Sequence, residues 1–332
     1  FEPPKLNRLI QRHREEKGIK VIQLEHAGLA VLRVLRQKHS LGLLVDKPVG
    51  PTSFDVVRAA RRGVGGSRRS GGARVGHAGT LDPFASGLLL VMVGQATRIS
   101  NLLMGLPKEY EVTVQFGAVS TTADPTGDVT PTGLRTKADQ VLAALDAFRG
   151  TIRQRVPLTS AVKVDGEALY KKAHRGETAE TPEREVSVYD VTMLEFDEEA
   201  QTARLLALTG SGTYVRTLAE QIGSAVGTGA FAAVLRRTRI GGFSVANALH
   251  VSDLAPETYT NGGRGVLGLD EALGFLPSYL LDAAQARAAA NGNQLRVAPY
   301  GRFRAQGPEG LLGVYEAAGD IARPVVVFAR PA

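Results

Sequence analysis

Gly76-His77-Ala78-Gly79-Thr80-Leu81-Asp82-Pro83-Phe84-Ala85-Ser86-Gly87 runs directly into Leu88-Leu89-Leu90-Val91-Met92-Val93-Gly94, and the rest of the chain is read outward from this junction. The first part packs turn formers around one histidine and one aspartate. The second is an apolar run of strand length bounded by glycines. A carboxylate thus stands at the mouth of a buried strand, where flanking glycines let a ligand approach the backbone closely. Taken alone, an Asp-Pro turn is structural more often than catalytic, and His77 is more often a surface or capping residue than a general base.

Upstream, Leu41-Gly42-Leu43-Leu44-Val45 is apolar, and Thr52-Ser53-Phe54-Asp55 has the form of a capping box that opens a helix to about Arg62. Downstream, Tyr110, Val112, Val114 and Phe116 alternate with Glu111, Thr113 and Gln115, the pattern of a half-buried strand. Thr136 is expected to cap a helix with the stripe Val141, Leu145 and Phe148, closed by Gly150. Val186 to Phe196 and Ala203 to Leu208 read as strands, and Val215, Leu218 and Ile222 mark a helix ending near Gly227. Strands outnumber helices without alternating strictly with them. The expected fold class is α+β, a mixed and mainly antiparallel sheet with packed helices.

Residues 41–250 form the main body on this reading, and 251–275 a linker containing Asn261-Gly262-Gly263. In 276–332 a helix from Ala283 to Ala290 is followed by short strands at Leu295 to Val297, Phe303 to Ala305, Leu311 to Tyr315 and Val325 to Phe328, a small β-rich module. The 332 residues suit about two domains.

Lys and Arg exceed Asp and Glu by 40 to 33, and residues 1–40 carry +5 of the resulting +7. Arginines also cluster in a glycine-rich stretch: Arg58, Arg61, Arg62, Arg68, Arg69 and Arg74. Such a run suits phosphates, and equally a solvated loop. The absence of cysteine excludes disulfides, thiolate catalysis and Cys-type metal sites. No apolar run approaches the roughly 20 residues that span a bilayer, and the charged start lacks a signal-peptide pattern, so a soluble cytoplasmic protein without membrane contact is expected. There is no P-loop, no Gly-x-Ser-x-Gly elbow and no metal-ligand spacing among the six histidines; Gly63-Val64-Gly65-Gly66-Ser67-Arg68 misses the dinucleotide pattern at its final glycine. Arg216 falls in the first turn of the helix after Gly210-Ser211-Gly212, where the helix dipole disfavours a cation. A partner carboxylate would explain it; so would plain exposure.

Together these segments resemble the TruB family of tRNA pseudouridine synthases. Leu44-Val45-Asp46-Lys47-Pro48-x-Gly50-Pro51-Thr52-Ser53 is similar to the family's opening motif, and Gly76 to Gly87 to the motif bearing its catalytic aspartate. Lys108-Glu109-Tyr110, Ser120 to Gly127, Ala161 to Gly166, Gly212 to Leu218 and Leu235-Arg236-Arg237 follow in the family's order. The resemblance covers about 41–250 and continues weakly to 330, where the family carries a PUA-like RNA-binding domain. Three features depart from it. Val156-Pro157-Leu158-Thr159-Ser160-Ala161 stands where many members have Pro-Pro-x-Tyr-Ser-Ala, the arginine-glycine stretch 63–74 is long, and 1–40 has no counterpart.

The resemblance implies isomerisation of uridine to pseudouridine in the TΨC loop of tRNA, without metal or other cofactor, by an enzyme expected to be monomeric and to need no protein partner. The target base must be flipped from its stack, at a cost of a few kcal/mol. On this reading Asp82 is the catalytic carboxylate and Arg216 pairs with it. Tyr110 stacks on the base, His77 enters the RNA loop, Tyr214 hydrogen-bonds near the aspartate and Leu235 lines the pocket. Arg68, Arg69, Arg74, Arg236 and Arg237 are expected on the RNA backbone, and Arg287, Arg296, Arg302, Arg304 and Arg323 near the acceptor stem. The rival readings are a guide-RNA-dependent synthase of the H/ACA type, an RNA-binding or folding module without turnover, and a nucleoside-cleaving hydrolase.

Overall fold

Alternation, apolar runs and caps each find their element in the computed structural model, which describes residues 41–64, 73–177, 180–255, 258 and 264–328. The expected basic extension 1–40, Arg68 and Arg69 lie outside the described residues, as does part of the linker. The main sheet comprises β1 (Leu41–Lys47), β2 (Val75–His77), β3 (Ser86–Val93), β4 (Lys108–Phe116), β5 (Gly150–Arg155), β6 (Glu183–Asp197), β7 (Thr202–Thr209) and β8 (Ala230–Ile240), with three shorter strands besides. Its order is β1-β3-β8-β4-β7-β6-β5. Every contact in that path is antiparallel except β3 with β8. The sheet is thus mixed and mainly antiparallel, as expected.

The apolar run after Gly87 is β3, a central strand with seven of its eight residues buried, which is why it does not alternate. β4 alternates because its odd-numbered positions stay partly wet. Lys108, Tyr110, Val112, Val114 and Phe116 are all buried on one face. That face is covered by α3 (Val215–Ala225) through Val215, Leu218 and Ile222, and by α2 (Ala138–Leu145) through Val141 and Leu145. α1 (Ser53–Gly63) buries Val56, Val57 and Ala60 against β1 and β3. Thr52 caps it as expected: its hydroxyl accepts the Asp55 N–H at 3.1 Å, and the Asp55 carboxylate takes the Thr52 N–H at 3.0 Å.

The structure alters three details. α2 is capped one residue later than expected, because Gln201 takes the Thr136 N–H at 2.7 Å and Lys137 becomes the cap. Its regular part stops at Leu145, and Asp146–Phe148 tightens into a 3-10 turn. β8 has no counterpart in the sequence reading; two bulges break its register against β4, so no period of two survives in Ala230 to Ile240.

The C-terminal segment forms a second, five-stranded sheet: β9 (Ser278–Leu280), β10 (Leu295–Arg296), β11 (Gly301–Gly307), β12 (Gly310–Ala318) and β13 (Ile321–Val327), in the order β9-β11-β12-β13-β10. Helix α4 (Ala283–Ala290) packs on it through Ala286 and Ala289. Val314, Val326 and Phe328 join Leu44, Leu90 and Ile240 in one buried cluster, so the two sheets share core. Among the described residues no helix is long and apolar enough to cross a membrane.

Thr52→Ala removes one half of the α1 capping box and should lower the unfolding free energy by about 1 kcal/mol, read as a lower urea midpoint at unchanged slope. An unchanged midpoint would show that tertiary contacts alone fix the start of α1.

Candidate active site

Asp82 sits on a loop whose backbone is pinned almost group by group. Ser53 Oγ accepts the Leu81 N–H at 2.8 Å and donates to the Leu81 carbonyl at 3.1 Å. The Gly50 N–H donates to the Pro83 carbonyl at 2.8 Å, and Lys47 Nζ to the Ala85 carbonyl at 2.6 Å. Arg237 closes the loop from β8: Nε donates to the Leu88 carbonyl at 2.7 Å, Nη2 to Gly79 at 3.1 Å and Nη1 to Thr80 at 3.3 Å. Gly87 is needed where it stands, since its φ is +108° and a Cβ would come within 2.2 Å of the Arg237 carbonyl oxygen.

Arg216 lies in the first turn of α3 and is 2% exposed, which removes plain exposure as the reason for its placement. Its Nε is 2.9 Å from Asp82 Oδ2, and Nη2 donates to Asp82 Oδ1 at 3.3 Å. On its other side Nη1 is 2.8 Å from Asp124 Oδ2 and also donates to the Thr122 carbonyl and to Thr159 Oγ1. Thr159 is therefore part of the arginine's setting. Asp124 is 3% exposed and accepts the Thr122 hydroxyl at 2.8 Å and the Thr126 N–H at 2.9 Å. Its loop holds Ala123 at φ +57°, and a Cβ on Gly127 would strike the Thr122 hydroxyl at 2.5 Å.

Two carboxylates and one guanidinium give this group a net charge of −1 in poorly hydrated surroundings. Burial pushes the Asp82 carboxyl above its ordinary range. Arg216 pulls it back down, and Asp124 raises it again. Burial also lowers the Lys47 ammonium to about 8, partly countered by Asp82.

A cavity of about 270 Å³ opens beside Asp82, walled by Tyr110, Tyr214, Arg216, Leu235 and Lys108. The side chains arrive there because Tyr110 lies on the covered face of β4, Leu235 pairs with Val112 from β8, and Tyr214 caps α3. His77 ends β2 and does not line the cavity, whereas Gly79, two residues on, does. It is half-buried, its Nδ1 has no hydrogen-bond partner, and burial with the Arg237 charge holds it below its ordinary pKa and so neutral.

The expected RNA-facing arginines divide. Arg74 is exposed. Arg236 makes a two-pronged pair with Asp46, at 2.8 and 3.2 Å, on a partly exposed surface. Arg237 contradicts the expectation: at 1% exposure, with its guanidinium spent on three backbone carbonyls, it reaches no phosphate. In the C-terminal segment Arg287 on α4 and Arg296 and Arg323 on the second sheet are exposed, whereas Arg302 pairs with Glu316 and Arg304 with Asp270.

Residues 68–215 match the family model described as TruB family pseudouridylate synthase, N-terminal domain. The tRNA pseudouridine synthase B of Thermobifida fusca is 39% identical over 303 residues, covering 86% of this chain and 98% of that protein. The protein of the same name from Ralstonia pickettii is 35% identical over 300 residues, covering 85% and 92%. This chain belongs to the TruB family of pseudouridylate synthases. The solved structure of an H/ACA RNP bound to a substrate RNA containing 2′-deoxyuridine superposes with a TM-score of 0.67 at 22% identity, over 90% of this chain and 88% of that one. That likeness establishes the shared fold.

Within the TruB framework the sequence motifs acquire geometric reasons: Gly87 for close strand approach, and Thr122-x-Asp124-x-x-Gly127 for a carboxylate aimed at Arg216. Asp124 was missed as a site residue because it reads as a turn former. The unexplained arginine was its signal, since one buried guanidinium can hold two carboxylates.

Arg216→Ala leaves Asp82 and Asp124 facing each other without a counter-ion. It should lower the unfolding free energy by about 3–5 kcal/mol, measured by urea titration at neutral pH. A loss below about 1 kcal/mol would mean that water replaces the guanidinium freely.

Proposed function

We propose that the chain converts one uridine of tRNA, in the TΨC arm, to pseudouridine, with Asp82 as the catalytic carboxylate. The observation that carries this reading is the Asp82–Arg216 pair at 2.9 Å on the wall of an aromatic-lined cavity with room for one nucleoside. A base must leave its stack to enter, and stacking on Tyr110 returns roughly 1–3 kcal/mol of that cost. Arg216 keeps the carboxylate ionised and aimed against the pull of burial, and Tyr214 adds a phenol beside it. The neutral, half-buried His77, just outside the cavity, suits a side chain that follows the extruded base into the RNA loop. Leu235 closes the apolar side.

The extended RNA would be held by the exposed Arg74 and the partly exposed Arg236. Residues 276–332 act as a PUA-like module, with the exposed Arg287, Arg296 and Arg323 toward the acceptor stem. Relatives at 35–39% identity over more than nine-tenths of their length are named for tRNA, whereas the H/ACA chain is 22% identical. That difference favours action on tRNA without a guide or protein partner.

Incubating a bare tRNA transcript with the chain and mapping it with carbodiimide should reveal one modified uridine, and Asp82→Asn should abolish it while RNA affinity survives. Free uracil in place of the isomer would make the chain a hydrolase. Turnover only with added guide RNA would move it to the H/ACA class.

The reaction needs Asp82 ionised, so the single-turnover rate should fall as pH drops through a pKa held above the free aspartate value of about 4. Asp124 contributes to that elevation, hence Asp124→Asn should move the acidic limb to lower pH. A limb that stays in place would remove Asp124 from the charge balance of the site.

A further inference from the structure

Asp82 and Arg216 line the cavity, and so do two further cations, Lys108 and Arg237. Lys108 lines the cavity and is 7% exposed. Its Nζ donates to the carbonyls of Met104 and Leu106, at 2.7 Å each, which occupies two of its three N–H groups. Arg237 lies beside it, bound to backbone carbonyls alone. Gly79 packs over both: a Cβ there would meet Arg237 Nη1 at 3.7 Å and Lys108 Cε at 3.8 Å. Among the described residues neither cation has a carboxylate within ion-pair distance.

The sheet dictates this arrangement. Lys108 and Tyr110 are two residues apart on the buried face of β4, and Arg237 pairs with Tyr110 across β8. The aromatic ring proposed to stack on the base is therefore flanked by two buried cations. Isolated buried cations are unfavourable, and carbonyl dipoles offset only part of the lost hydration. A carboxylate partner would cancel the field that such a pair throws into the cavity. Burial and the Arg237 charge bring the Lys108 ammonium down to about 8, leaving it mostly protonated at neutral pH.

We propose that Lys108, backed by Arg237, is a further catalytic residue: its ammonium holds the uracil ring while that ring is severed from the ribose and bears the electron pair of the broken bond. This rests on the isomerase reading given above. When N1–C1′ breaks, its electron pair stays on the base, which becomes an anion spread over N1, O2 and O4, and C1′ is left electron-poor. On rejoining, C5 supplies the electron pair to C1′, C5 loses a proton and N1 gains one, so atoms and charge balance. The cavity holds charge of both signs for that separation, negative at Asp82 and positive at Lys108 and Arg237. Donors fixed in advance at a site of developing negative charge lower the barrier without reorganising.

The test uses the full-length chain, single-turnover rates and RNA affinities on two tRNAs, one with uridine and one with 5-fluorouridine at the target. Fluorine stabilises the departed base as an anion and also bars the final proton loss from C5. Consumption of the parent nucleoside is therefore the readout for that RNA. Lys108→Gln keeps an N–H donor for the carbonyls and removes the charge. It should slow the uridine reaction by about 100-fold with little change in affinity, and this defect should shrink at least about tenfold on 5-fluorouridine. Lys108→Arg, permanently charged, should stay within about tenfold of wild type on uridine and keep the wild-type response to fluorine. A uridine rate for Lys108→Gln within about threefold of wild type would overturn the proposal. So would an equal defect on both RNAs, or an Arg variant as slow as the Gln variant with its fold intact. If Lys108→Gln does not fold, Lys108→Met stands in its place under the same criteria. The isomerase reading fails separately, in wild type that makes no pseudouridine or in an active Asp82→Asn.

Discussion

One buried guanidinium bridging a buried carboxylate, Asp124, and a partly exposed one, Asp82, is the interaction on which the site depends. Desolvating three charges costs several kcal/mol per ion, and mutual attraction offsets that only when the remaining lone pairs and protons are also satisfied. Thr122 and Thr126 donate to Asp124 and Thr159 accepts from Arg216, which leaves these side chains little freedom. Arg216 Nε meets Asp82 as an ion pair at 2.9 Å without hydrogen-bond geometry. The four contributing segments lie near 82, 124, 159 and 216, and their meeting point is fixed by the fold. The position of Arg216 in the first turn of α3 sharpens the point. The helix dipole repels a cation there, and the same dipole favours the two carboxylates drawn in beside it.

The sheet adds backbone rigidity to that of the ionic group. β3 and β8 meet in the one parallel contact of the main path, at Ser86–Arg236 and Gly87–Arg237, directly behind the loop that carries Asp82. Lys47, Ser53 and Arg237 then fix the loop from three different elements. Such over-determination matters for catalysis, because misplacement by about 1 Å can cost a hundredfold in rate. It also explains why so many motif residues are small or hydrogen-bonding. Most of them hold backbone, and only a few face the cavity.

The sequence made the start of α1 legible because Thr52 and Asp55 act locally, and β4 because one wet face leaves a period of two. β8 was not legible, since its bulges and its alanine and arginine residues erase that period. Arg216 announced a partner by standing at the wrong end of a helix, and the resemblance pointed to Asp82. Asp124 stayed hidden because an acid among threonines, a proline and a glycine looks like a turn. Arg237 was misjudged for a general reason: arginine is almost never fully buried, and only the carbonyl-rich loop against β8 makes its burial tolerable.

Lys47, Lys108 and Arg237 extend this argument to the energetics of the whole site. Each is buried, and each is bound to backbone carbonyls with no carboxylate partner among the described residues. For stability alone, apolar side chains of similar volume would serve as well or better. A cation kept in such a place makes sense where its field has a use. Lys47 and Arg237 hold the Asp82 loop, and Lys108 faces the cavity that the loop borders. The stability given up at these three positions and the strain at Ala123 fall in the segments around the cavity that Asp82 and Lys108 line. A fold concentrates departures from local rules in this way where function, and not packing, sets the requirement.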